Sequence, residues 1–218
     1  MNEKEIKFIG KITAGVTHEV NNVLASIREL SGLMTDILSI TDATSFPRKE
    51  KFQTSLQKIQ NQVQRGIKLT CQLNKFSHLS DNIKTEVDLN ELVEHIIFLT
   101  ERFARIKNIT LKIQPSIKSI TINSNPFLLQ MALYNCILYL LNRMVDGGEI
   151  SICPQKKASE CLLIISYKGE GTDTSTIFKD ASSSEELLSL NSIMESLNGV
   201  YELDESNTAI IIKLPCNK

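Results

Sequence analysis

The sequence predicts an α+β chain in two parts. The first is a long helical hairpin that pairs with a second copy into a dimeric four-helix bundle. The second is an α/β sandwich. Three observations predict this. Apolar residues recur at steps of three and four through the first 80 of the 218 residues, after which shorter helical patterns interspersed with alternating strands take over. The charge changes at the same place: residues 1–80 carry 11 Lys and Arg against 7 Asp and Glu, and residues 81–218 carry 13 against 18. A composition of 42% hydrophobic and 22% charged residues supplies a core and argues against wholesale disorder.

Residues 6–40 read as one helix. Ile9, Ile12, Val16, Val20, Val23, Ile27, Leu30 and Met34 fall within about ±40° of one direction, a narrow coiled-coil-like stripe. The stretch 41–47 lacks periodicity and ends in Pro47, so it reads as a connection. A second helix follows at 49–79, with Phe52, Leu56, Ile59, Val63 and Ile67 on one face. A lone hairpin buries one stripe per helix, so a homodimer through residues 6–79 is expected. The hairpin domain is thus residues 1–80 and the α/β domain residues 85–218.

In the second part, Asp88 is placed to cap a helix through Arg105, and 109–113 alternates as a strand. Asn125-Pro126 opens an apolar helix to Met144, with proline in the first turn. Gly147-Gly148 turns into a strand over 149–153, and 162–167 is another. Residues 184–198 form a helix stopped by Gly199. Residues 200–203 and 208–214 close the domain as a hairpin.

Composition also excludes. Five cysteines, odd in number and never spaced C-x-x-C, point to reduced thiols in a cytoplasmic protein and against a disulfide scaffold or zinc site. No apolar run reaches the roughly 20 residues of a membrane span. The charge balance is too even for a nucleic-acid binder. Glycine is scarce, 9 in 218 residues, which speaks against a glycine-rich phosphate-binding loop.

The chemistry concentrates at His18, Glu19 and Asn22. His18 lies nearly opposite the apolar stripe, so its imidazole faces solvent, and Asn22 is its neighbour one turn on. An exposed histidine is ordinarily a solvated surface residue. A nucleophilic imidazole needs exposure, a free unprotonated nitrogen and a group to hold its tautomer; a neighbouring carboxylate can do the last, and an amide at the fourth position can orient a water or a phosphoryl oxygen. His78 and His95 lack that company and read as structural or surface residues, and Phe98, Phe103 and Phe127 as core.

The stretch from Gly10 to Ile27, with Thr17-His18-Glu19-Val20-Asn21-Asn22 at its centre, resembles the H-box of sensor histidine kinases. The resemblance implies that His18 is a phosphoacceptor serving a receiver-domain aspartate. It implies that Glu19 assists proton transfer, and that Glu19-Val-Asn-Asn22 matches the family's E-x-x-T/N phosphatase motif, with Asn22 orienting a water. Val23 stands where the family often has proline. Residues 85–218 resemble the ATP-binding domain of the same kinases, which departs here at the ligand positions. Counting back from Gly147-Gly148, Tyr139 falls where the family has its magnesium-ligating asparagine, and a phenol is a poor ligand for that hard cation. Asn142 is rotated away from that position. The family's D-x-G-x-G box is Tyr167-Lys-Gly169-Glu-Gly171, so the glycines stay and the adenine-binding Asp is Tyr167. Between Gly171 and Gly199 no glycine remains for a phosphate-wrapping lid.

The expectation is therefore a dimeric histidine phosphotransfer protein with a degenerate nucleotide site, needing neither ATP nor a metal of its own. His18 takes a phosphoryl group from a receiver aspartate or from a separate sensor kinase and hands it on. No sensor domain is recognisable before the H-box, so input is expected from a partner. An autokinase with a diverged site, a receiver phosphatase acting through Glu19 and Asn22, and a non-catalytic scaffold or kinase inhibitor stay open.

Overall fold

In a computed structural model of the chain, the described residues are 3–40, 49–77, 84–116, 118–157, 160–169, 177–179 and 181–216. The expected connection at 41–47, His78 and Gly171 lie outside them. Two compact units divide the chain, Thr13–Ser77 and Met1–Ile12 with His78–Lys218.

The first unit is built on helices α1 (Glu3–Ser39) and α2 (Lys49–Ser77). Along α1 the expected stripe is inside: Val16, Val23 and Met34 are buried and Val20, Ile27 and Leu30 half-buried. On α2 the buried side differs from the expected one. Ser55 and Leu69 are buried, with Ile59, Gln62 and Gly66 half-buried beside them. Leu56, Val63 and Ile67 stay 38%, 40% and 53% exposed. The buried side is thus turned roughly 80° from the apolar stripe. Polar and small residues line it because the helices approach closely there: a Cβ on Gly66 would stand 3.3 Å from Val23 Cγ1.

Among the described residues, the second unit holds helices α3 (Leu89–Ile106), α4 (Pro126–Arg143) and α5 (Glu185–Ser196) and seven strands. Strands β1 (Thr85–Asp88) and β3 (Thr121–Ser124) pair antiparallel, Val87 opposite Ile122. The main sheet is mixed, ordered β2-β4-β5-β7-β6, from β2 (Thr110–Ile113), β4 (Glu149–Lys157), β5 (Glu160–Lys168), β6 (Val200–Asp204) and β7 (Ala209–Pro215). Its helix-facing side is a continuous apolar grid. Ile150 opposes Tyr167, Ile152 opposes Ile165, Leu163 opposes Ile212 and Ile165 opposes Ile210. These side chains alternate with Ser151, Ser166 and Lys213 on the other face, the period-two pattern of a sheet covered on one side.

The capping residues sit where the sequence places them. Asp88 accepts from the N–H groups of Asn90 and Glu91, Asn125 from that of Leu128 ahead of Pro126, and Ser184 from that of Leu187. Two details differ. The left-handed residue ending α5 is Asn198 at φ 52°, while Gly199 is small because a Cβ would meet Lys213 O at 2.7 Å. Strand β4 runs on through Pro154, since β2 ends opposite Ile152 and the missing N–H costs no pairing there.

The first turns of α1 belong to the second unit. Phe8 is buried there, its ring centroid 5.4 Å from that of Phe127 and 5.2 Å from that of Tyr134. Phe103 meets Tyr134 edge-on, and Phe98 and Phe103 are half-buried. His95 pairs through Nδ1 with the buried Gln130 at 2.8 Å, a structural contact.

Candidate functional site

His18, Glu19 and Asn22 occupy one turn and a quarter of α1. His18 is exposed and Glu19 is buried, as a 100° step between neighbours on a helix requires. The Asn22 amide nitrogen Nδ2 lies 3.1 Å from His18 Nδ1. Glu19 points the other way and forms an ion pair with Arg65 of α2. Arg65 was not legible beforehand, because nothing in a single sequence says which residue of α2 faces Glu19. Its neighbour Gly66 was the available hint, as a glycine inside a helix marks close approach.

This geometry limits what the turn can do. The amide can present either end to Nδ1. With its oxygen there, Asn22 accepts the Nδ1 proton and Nε2 carries a lone pair. With its nitrogen there, Nδ1 is the acceptor and the neutral ring carries its proton on Nε2. Asn22 therefore governs the tautomer of an exposed imidazole, and Glu19–Arg65 anchors that turn to the second helix.

In the second unit, Tyr139 of α4 is fully buried. Its hydroxyl donates to the carbonyl of Ile177 at 2.7 Å, and its ring stacks on Phe178 with centroids 6.1 Å apart and planes 7° apart. The Arg143 guanidinium lies 4.0 Å from the Tyr139 ring centroid. Glu186, in the first turn of α5, receives Asn142 Nδ2 at 2.7 Å and lies 3.9 Å from Arg143. Burial, ahead of the opposing effect of Arg143, holds the Tyr139 phenol above its ordinary pKa, so it stays protonated and donating. Asn142, set aside as a metal ligand, is engaged with Glu186.

Tyr167 closes the other end. It is buried, and its hydroxyl donates to Gly147 O at 3.2 Å. A Cβ on Gly169 would stand 1.7 Å from the Tyr167 hydroxyl, and one on Gly148 would stand 3.0 Å from Tyr167 Cε2. Gly147 and Gly148 also carry φ of 98° and 103°, which side chains rarely adopt. Gly148 and Gly169 thus leave room for the tyrosine ring. Phe178 and Glu186, which complete the arrangement, carried no signal in the sequence. Among the described residues, no group of three His, Cys, Asp or Glu is placed to hold a metal, and no helix is long and apolar enough to cross a membrane.

No family model matches the chain. Individual proteins do. The sensor histidine kinase ZraS of Escherichia coli O157:H7 is 24% identical over 172 residues, 78% of this chain and 36% of ZraS. Sporulation kinase A of Bacillus subtilis is 22% identical over 228 aligned positions, 99% of this chain and 36% of that kinase. The chain thus spans about a third of the length of these relatives. Among solved structures, the Acinetobacter baumannii histidine kinase AdeS superposes with a TM-score of 0.52 at 17% identity, covering 88% of this chain and 97% of that one. The histidine kinase ThkA, in complex with the response regulator TrrA, gives 0.50 at 17% identity over 97% of this chain and 63% of that one. The chain is thus similar in sequence to sensor histidine kinases and shares their fold, a helical hairpin followed by an ATPase-like α/β unit.

Proposed function

We propose that the chain is a two-component phosphotransfer protein in which His18 exchanges a phosphoryl group with a receiver-domain aspartate, and in which the nucleotide site of the ancestral kinase is closed by its own side chains. The observation that carries this reading is Tyr139. At the position expected to ligate magnesium stands a buried phenol, hydrogen-bonded to a backbone carbonyl and stacked on Phe178. A hard cation and a triphosphate do not fit residues arranged in that way. Transfer between His18 and an aspartyl phosphate needs neither, since the receiver supplies the aspartate and its own divalent cation.

The step follows from the His18 geometry. With the Asn22 amide turned so that its oxygen accepts from Nδ1–H, the Nε2 lone pair attacks phosphorus in line with the aspartyl oxygen. The P–N bond forms, the P–O bond to the carboxylate breaks, and the ring becomes a cation that keeps its Nδ1 proton. The reverse step returns the group to an aspartate. The Glu19 carboxylate, turned away from the ring and paired with Arg65, holds this turn of α1 against α2. The +4 balance of residues 1–80 suits an acidic receiver rim.

The functional unit in this reading is a homodimer. Leu56, Val63 and Ile67 share one exposed face of α2, and a second copy covering that face completes a four-helix bundle. The complex of ThkA with the response regulator TrrA supports a receiver as the partner class. The test is to add a receiver domain carrying labelled phosphate to the full chain. Acid-labile label on the protein, absent in His18→Gln, is expected. Absence of label on the wild-type protein would refute the transfer role and leave the scaffold reading.

A further inference from the structure

We infer that Cys161 and Cys216, with Lys156, form a peroxide-sensitive dithiol that closes to a disulfide between the ends of β5 and β7. Register places the three together. Cys161 lies directly opposite Lys156 on β4 and Leu214 on β7. Cys216 follows Leu214 by two residues and so shares its face. The two thiols and the Lys156 side chain are near enough to shift one another's titration. Both cysteines are free, Cys161 fully buried and Cys216 half-exposed.

The asymmetry assigns the roles. Cys216 is reached from solvent, and Cys161, followed by Lys156, holds its thiol below the ordinary value. Burial first, and Cys216 second, push the Cys161 thiol up to about 12. Cys216 is therefore the attacking thiolate and Cys161 the resolving thiol. The Cys216 sulfur attacks one oxygen of a hydroperoxide and the O–O bond breaks. An alcohol, or water from hydrogen peroxide, leaves, and Cys216 becomes a sulfenic acid. The Cys161 sulfur then attacks the Cys216 sulfur, the S–O bond breaks, and the hydroxyl leaves as water with the Cys161 proton. Two thiols are oxidised and one peroxide is reduced. The other cysteines lack this setting: Cys136 is buried in α4 with its thiol pushed up by burial, and Cys71 is exposed on α2.

The test treats the reduced full-length chain with hydrogen peroxide and maps peptides without reduction. A Cys161–Cys216 link is expected, with Cys216 consumed at least about tenfold faster than the exposed Cys71. Lys156→Met should slow that consumption several-fold. Cys161→Ala should leave Cys216 as a sulfenic acid captured by dimedone. Should that buried variant fold poorly, Cys216→Ser must abolish the link and leave Cys161 unreacted. Consumption of Cys216 no faster than Cys71, or links scattered among other cysteines, would overturn the inference.

Discussion

The Asn22 amide lies 3.1 Å from His18 Nδ1, one helical turn away on the same exposed face. That contact leaves Nε2 as the nitrogen a docked receiver can reach, and makes Asn22 the residue that sets its protonation. Removing the amide frees the ring to rotate and to change tautomer. Asn22→Ala should slow phosphoryl transfer from a labelled receiver about tenfold, the worth of one oriented hydrogen bond. His18→Ala should abolish labelling. If hydrolysis of the phosphorylated receiver survived in His18→Ala and was lost in Asn22→Ala, the two residues would instead serve a phosphatase.

The Glu19–Arg65 pair joins the two helices at the level of this turn. Glu19 is buried, so removing the guanidinium leaves a carboxylate without its main counter-charge. Arg65→Met should destabilise the full chain by about 1–3 kcal/mol, read as a lower Tm in thermal melts. Glu19→Gln, which keeps shape and removes charge, should cost less. An unchanged Tm in Arg65→Met would show that the pair does not anchor the hairpin.

The Tyr139 ring is buried against Phe178 and Arg143. Tyr139→Phe removes only the bond to Ile177 O and should cost about 1 kcal/mol. Tyr139→Ala also removes the ring between Phe178 and Arg143 and should cost about 3–5 kcal/mol in denaturant titration. A loss below about 1 kcal/mol for the alanine variant would mean that the ring does not fill the position.

Asp88 gives a pH signature. The hydrogen bond from Ser119, and those from the Glu91 and Asn90 N–H groups, hold its carboxyl below the ordinary value. A lowered folded value gives stability that is complete above the unfolded pKa of about 3.9 and lost as pH falls through the folded value. Asp88→Ala should therefore cost about 1–2 kcal/mol at neutral pH, and the gap to wild type should shrink below about pH 4. A gap that stays constant into strong acid would contradict the assignment.

The exposed face of α2 predicts assembly. Val63→Asp with Ile67→Asp places charge on the stripe proposed to meet a second copy. Light scattering should show a dimer for the wild-type chain and a monomer for the double variant. A monomeric wild type would remove the four-helix bundle from the account.

Local signals carried most of the fold. Asp88, Asn125-Pro126 and Ser184 announce helix starts because capping is settled within three residues, and the α1 stripe shows its buried side directly. What escaped was set by partners distant in sequence. Strands β1 and β3 have four residues each and are defined by their pairing with one another. The buried side of α2 holds Ser55, Gln62 and Gly66, which no hydrophobic pattern selects. At the site, His18 and Asn22 were visible because they are one turn apart. Arg65, 46 positions from Glu19, and Ile177, 38 from Tyr139, could be found only once the chain was folded.

The central claim joins an intact phosphoacceptor to a closed nucleotide site, and incubation with γ-labelled magnesium-ATP tests it most directly. The full chain, assayed alone beside the same protein mixed with labelled receiver, should carry label on His18 only from the receiver. Label on His18 from ATP alone would contradict the account and make the chain an autokinase.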